Sequence, residues 1–213
     1  MRRWSLEVMM GNGGGRFRRA LAAFDRANAE DPNTECVEGV EQPKELVYAR
    51  RMTAWLHRFD PQASEPLQLA ARSQHIRRWT VPRSNYPPGR SGYRRWRTDL
   101  AQFHAETAGV ILKEEGYNTD TINRVQKLLR KEGLKRDSEV QTLEDVVCLV
   151  FLESYFTDFA SRQEQDKLVG IIRKTLRKMS PRGREQALSL PLEPEAQAIV
   201  KRAVAKDSDL PSP

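Results

Sequence analysis

Residues 146–156 read VVCLVFLESYF, and the way this stretch is read decides the fold. By composition it passes for a buried strand, being short, continuous and rich in β-branched and aromatic side chains. Its flanks argue for a helix. No Gly or Pro interrupts the chain from Ser138 to Phe159, a length that exceeds ordinary strands and suits a central buried helix. Working outward, no segment alternates with period two and no internal repeat is visible. The expected fold is all-α: one helical domain over residues 16–206 with about eight or nine helices. Residues 1–15 are expected to be a disordered leader and 207–213 a disordered tail.

The remaining helices follow from apolar spacing and breakers. Phe17, Ala20, Leu21 and Phe24 predict a helix to about Ala29, stopped by Asp31-Pro32-Asn33. The next ten residues are polar and read as a loop. Pro43 suits the first position of a second helix running to Phe59. Ser64 caps a third, carrying Leu67, Leu69, Ala70, Ala71 and Ile76 to about Trp79. Pro82, Pro87, Pro88, Gly89 and Gly92 make 80–92 irregular. A long amphipathic helix is expected from Tyr93 to Glu115, and another from Thr119 or Asp120 toward Gly133. Lys167–Lys178, a segment after Ser180-Pro181 and Glu195–Ala205 complete the set.

Composition narrows the partner. The 213 residues carry a formal net charge of +7. The stretch Arg72–Arg97, RSQHIRRWTVPRSNYPPGRSGYRRWR, holds eight arginines and no Asp, Glu or Lys, so it accounts for the whole positive excess. Such local basicity points to an anionic partner at one patch. Arginine without lysine favours forked hydrogen bonding and stacking over diffuse charge. Cys36 and Cys148 have no metal or redox spacing, and a cytoplasmic setting is expected. The longest apolar run, Val146–Leu152, is too short to span a membrane. The N-terminus lacks a signal peptide's hydrophobic segment, and GNGGG lacks the GK[ST] ending of a phosphate-binding loop.

Helical spacing then assembles a site. His104 shares a helix face with Tyr93, Arg97, Leu100, Ala108 and Ile111. His75 shares one with Arg72, Ala71 and Arg78. These two helices can close an Arg/His pocket with residues 80–92 as its wall. Arg78, Arg83, Arg90 and Arg97 would clamp phosphate, with Arg72 and Trp79 beside them, and Tyr86 or Tyr93 would stack a ring. His75 and His104 are the candidate general acid and base, with Asp145 orienting one of them. The expected ligand is a phosphorylated small molecule, a nucleotide or an RNA end, and the enzyme version is a phosphohydrolase or phosphotransferase. The alternative is a non-catalytic RNA-binding module using the same basic surface.

The strings PKELVYARRMTAWLHRF, LAARSQHIRRW, PRSNYPPGRSGYRRWR, FHAETAGVILKEEGY and LEDVVCLVFLESYF, in that order, resemble the uncharacterised domain-of-unknown-function family 4202. The resemblance covers residues 17–190. More distantly, the helix order is similar to the HD-type metal-dependent phosphohydrolases. That similarity would put Tyr48 at their first histidine, Gln74-His75 on their His-Asp dyad, His104 on a later histidine and Asp145 on their final aspartate. With Tyr48 and Gln74 at ligand positions, such a set holds a divalent metal weakly at best. No other cofactor is expected.

Overall fold

The computed structural model describes residues 13–161 and 163–205. The expected leader and tail lie outside these residues, except that Gly13–Gly15 already form the start of the first helix. The described chain is predominantly helical, as its apolar spacing predicts. Within the stretch expected as one helical domain, contacts cluster into two compact units. Unit 1 comprises the residues up to Thr53 together with Ala63–Arg130, and unit 2 comprises Ala54–Gln62 and the residues from Lys131 onward.

Unit 1 begins with α1 (Gly13–Ala29) and a hairpin of β1 (Thr34–Val37) and β2 (Val40–Pro43). It continues with α2 (Lys44–Phe59) as far as Thr53, α3 (Glu65–Arg72), α4 (Gly89–Glu114) and α5 (Thr119–Leu129). Helix α5 packs on α3 and α4, and α1 packs on the same two helices. Phe24, Met52, Leu67, Leu69, Ile76, Leu100, Leu112, Leu128 and Leu129 form the interior.

The hairpin corrects the expected loop over residues 34–43. Val37 pairs with Val40, and the two residues between them, Glu38 and Gly39, have φ of 51° and 82°. Positive φ at both turn positions matches the right-handed twist of the strands and allows a two-residue connection. Each strand has only four residues, TECV and VEQP, too few for alternation to reveal them in the sequence.

Helix α3 also departs from expectation, ending at Arg72 instead of near Trp79. Ser73 bonds back to Leu69 O at 2.8 Å, and Arg77 takes a left-handed φ of 49°. The Arg77 amide then donates to buried Asn28 Oδ1 at 3.0 Å. The chain proceeds through short 3₁₀ turns at Arg78–Thr80 and Arg83–Asn85. His75 and Arg78 therefore sit on a bent connection, whose course is set by these local bonds.

Unit 2 is organised around α6 (Ser138–Ser154), with Val140, Leu143, Val146, Leu149, Val150 and Leu152 fully buried. The strand reading of 146–156 is thus excluded. The single helix expected to Phe159 is broken at Tyr155, whose φ of −128° leaves the helical region. A short α7 (Phe156–Ala160) follows. The break allows Phe156 to be buried and sets the Phe151 ring 6.0 and 5.8 Å from those of Phe156 and Phe159. Helices α8 (Gln165–Lys178), α9 (Pro181–Leu188) and α10 (Pro194–Ala205) complete the unit, α6 packing on α8 and α9 and α10 on α8.

The turn into α4 depends on one glycine. A Cβ on Gly92 would lie 1.9 Å from the Pro87 carbonyl oxygen, which also accepts from Arg83 Nη2 at 2.8 Å. Gly89 needs its φ of +83° but has open space around it. Gly92→Ala should therefore cost about 1–3 kcal/mol by overpacking against backbone, and Gly89→Ala about 1 kcal/mol from φ strain alone. Urea unfolding of the two variants should show that order.

Candidate functional site

The site grows from the start of α2. Asp31, itself buried, accepts from Asn33 N at 2.9 Å and Asn33 Nδ2 at 2.8 Å through Oδ1. Its Oδ2 accepts from the Glu45 amide at 3.1 Å. That bond satisfies one of the amides left open in a helix's first turn, and it fixes the backbone from which the Glu45 side chain enters the protein. Glu45 is 7% exposed.

Three groups converge on the Glu45 carboxyl and its neighbours. His75 Nδ1 lies 3.2 Å from Glu45 Oε2, and Arg78 Nε lies 3.7 Å from Oε1. Tyr48, one helical turn beyond Glu45, stacks flat on His75 with ring centroids 3.9 Å apart and planes at 11°. The His104 ring follows at 5.7 Å from His75, so the two predicted histidines are brought together. The Arg78 guanidinium lies 4.8 Å over the Trp96 ring, and Trp96 Nε1 donates to Val81 O at 2.9 Å.

This arrangement perturbs two ionisations. Burial is the main cause of a Glu45 pKa pushed up to about 7, with Asp31 and Glu35 adding to the rise while Arg78 and Lys44 oppose it. Burial also lowers the Arg78 pKa; Glu45 opposes that shift and the nearby charge of Arg97 adds to it. A carboxyl that titrates near neutrality can both take and give a proton under ordinary conditions.

Beside these groups lies a cleft of ≈ 670 Å³ whose lining includes Asn33, Lys44, Glu45, Arg78, Trp79, Trp96 and the segment Val81–Arg83. Glu45 lines it, whereas His75, in contact with the Glu45 carboxyl, is not among the lining residues. The Arg78 Nη1 is buried with no hydrogen-bond partner among the described residues.

The other predicted residues divide by what they touch. Arg72 grips Asp25 with Nε and Nη2 at 2.7 and 2.6 Å and reaches Thr53 Oγ1 at 3.2 Å. Arg83 donates to the carbonyls of Tyr86 and Pro87, each at 2.8 Å, and holds the loop in shape. Tyr86 has a raised pKa from desolvation and from the Asp99 carboxylate at its hydroxyl. Arg90 and Tyr93 stand exposed on the first turns of α4, and Arg97 is half-buried farther along.

Asp145 belongs to unit 2. Its Oδ1 accepts from the Ser180 amide at 2.8 Å and Gln141 Nε2 at 3.0 Å, and its Oδ2 from Ser180 Oγ at 2.5 Å. The Ser180 hydroxyl in turn caps α9 at Gly183 N, 2.9 Å away. Close packing keeps this cap in place, since a Cβ on Gly183 would fall 2.6 Å from Asp145 Cγ. The carboxylate is thus committed to joining α6 and α9.

Glu45, Asp31 and Lys44 are functional candidates that sequence reasoning missed. An acid beside the first turn of a helix reads as a complement to the helix dipole, and its burial arises only when residues 73–81 fold over it. The positions suggested by the HD resemblance do not fit a divalent-metal site. Tyr48 is stacked on His75, Asp145 is engaged by Ser180, and no group of three or more His, Cys, Asp or Glu among the described residues is placed to hold a metal.

A family model described as Domain of unknown function (DUF4202) matches residues 18–200. No curated protein matches the chain, and no solved structure does.

The Glu45 shift has a measurable consequence for stability. The folded carboxyl binds its proton more tightly, at about 7 against 4.5 for the ordinary group. Its contribution is therefore complete below the unfolded value and is lost as pH rises through about 7. From about pH 4 to about pH 8 the wild type should lose on the order of 2–3 kcal/mol relative to Glu45→Gln. Denaturant unfolding of both proteins across that range measures it.

Proposed function

We propose that this chain, which belongs to the DUF4202 family, binds a phosphorylated ligand in the cleft of unit 1. The observation that carries this reading is Arg78. Its guanidinium is held between Glu45 and Trp96, with Nη1 buried and unmatched among the described residues. A buried donor without an acceptor costs free energy, and a phosphate oxygen supplies that acceptor with a charge-assisted bond. Lys44 and the half-buried Arg97 add positive charge nearby. Trp79 and Trp96 give the cleft aromatic walls for a planar group. A cytoplasmic setting belongs to the same proposal: Cys36 and Cys148 are both free, and no described helix is long and apolar enough to cross a membrane.

The reaction this geometry suits is phosphoryl transfer from a monoester to water or to a second hydroxyl. The attacking oxygen forms a bond to phosphorus and gives up its proton, while the ester P–O bond breaks and the leaving oxygen needs a proton. Glu45, lining the cleft with a pKa near 7, is the group that moves a proton there. His75 acts through it: the Nδ1 contact at 3.2 Å holds the carboxyl in place and takes up part of its charge. His104 supports His75 from α4.

Thermal-shift titration with inorganic phosphate and nucleoside monophosphates tests binding. The wild type should be stabilised, and Arg78→Met should lose most of that shift. Phosphate release from a panel of phosphomonoesters tests the chemistry, where Glu45→Gln should lower kcat by about 10²–10⁴-fold with KM little changed. Absence of stabilisation by every phosphate compound would overturn the binding reading.

A further inference from the structure

Helix α4 carries a feature the cleft does not use. Arg90, Tyr93, Arg94 and Arg97 are spaced at intervals of three and four residues, so they form one stripe along the helix. Arg90 and Arg94 are exposed, Tyr93 is 50% exposed and Arg97 is half-buried. None of the three arginines forms an ion pair among the described residues. The nearest acid downstream, Asp99, is occupied by Arg95 at 3.8 Å and by the Tyr86 hydroxyl. Trp96 and Leu100, which border the stripe on the side of Tyr93 and Arg97, are buried. The stripe is therefore a largely exposed basic row with one exposed ring, and its arginines have no acidic partner among the described residues.

The row leads into the cleft. Arg97 lies near enough to Arg78 for their charges to repel, adding to the effect of burial on Arg78. The Tyr93 ring lies 5.8 Å from that of Trp96, which lines the cleft. At the other end the row reaches the first turn of α4, where Pro88 offers no side-chain cap and the open amides favour an anion. From Arg90 to Arg97 the row spans about 10 Å along the helix. That exceeds what a single phosphate needs and suits a ligand with phosphates at successive positions.

We infer that the ligand of this site is the phosphorylated end of a single-stranded nucleic acid. Its terminal phosphate enters the cleft at Arg78, the following backbone phosphates lie along Arg97, Arg94 and Arg90, and a base stacks on Tyr93. This rests on the cleft reading proposed above and extends it. A duplex would hide its bases from Tyr93, whereas unpaired bases stack on exposed rings in single-strand recognition. An anionic membrane surface would call for apolar side chains beside the arginines, and the exposed stripe has none except the tyrosine.

Fluorescence anisotropy with a labelled oligonucleotide of about ten nucleotides, with and without a terminal phosphate at either end, tests this. The phosphorylated strand should bind more tightly than the unphosphorylated one and than a nucleoside monophosphate. Its affinity should fall with salt at a logarithmic slope near −0.7 per phosphate engaged. The double variant Arg90→Ala/Arg94→Ala should weaken strand binding about tenfold or more and reduce the slope by roughly 1.4. It should leave the thermal shift by inorganic phosphate unchanged. Tyr93→Ala should weaken strand binding about fivefold or more. Mononucleotide binding with no gain from a longer strand, or strand binding indifferent to the double variant, overturns the strand proposal and leaves the cleft reading standing. Equal or tighter binding of duplex or of phosphatidylserine vesicles overturns it as well. Failure of the wild type to respond to inorganic phosphate or mononucleotides overturns the cleft reading itself.

Discussion

The burial of one carboxyl, that of Glu45, organises unit 1. A carboxyl in that position must either lose its charge or find compensation, and the fold does some of each. Its pKa rises toward neutrality under desolvation, while Arg78 and Lys44 hold the rise in check. His75 is placed against it and Tyr48 against His75. The bent connection after α3 brings His75 and Arg78 to the carboxyl, and Asp31 anchors the helix start from which Glu45 projects. The cleft is what remains once these demands are met.

Seen from that carboxyl, the arginines of residues 72–97 separate into groups with different physics. Arg72 and Arg83 spend their forked donors on Asp25 and on loop carbonyls, so they act as cross-links. Arg77 pairs with Glu30 at 2.7 Å, and Arg95 faces Asp99. Arg78 is partly satisfied and partly left open beside a protonatable acid. Arg90, Arg94 and Arg97 have no acidic partner among the described residues. The concentration of basic residues is thus partly a means of closing the loop 80–88 over the cleft and partly a surface.

Asp145 illustrates how the same residue type serves a different end in unit 2. It too is buried, with a raised pKa dominated by desolvation. There the compensation is complete within the fold: two bonds from Ser180 and one from Gln141. The Ser180 hydroxyl passes the effect on to the α9 amide. A carboxylate so fully hydrogen-bonded serves structure. Glu45, held by a titratable imidazole and a distant guanidinium, remains free to exchange its proton.

The sequence by itself determined the helical class and most helix positions, because apolar spacing and Gly/Pro breaks are local properties. Ser64 capping α3, α6 in place of a strand at 146–156 and the irregular loop before α4 were all legible in this way. It also marked His75, His104 and Arg78 as neighbours by their shared flank of one loop, although His75 and Arg78 lie beyond the end of α3 and not on the helix face expected for them. Tertiary structure alone decided that Glu45 is the acid beside them, since its desolvation comes from residues some thirty positions away folding over it. It alone decided that Arg72 and Arg83 are spent internally and that Arg90, Tyr93 and Arg94 remain in water. A guanidinium's role depends on which acceptors reach it in space, and neither spacing nor charge arithmetic carries that information.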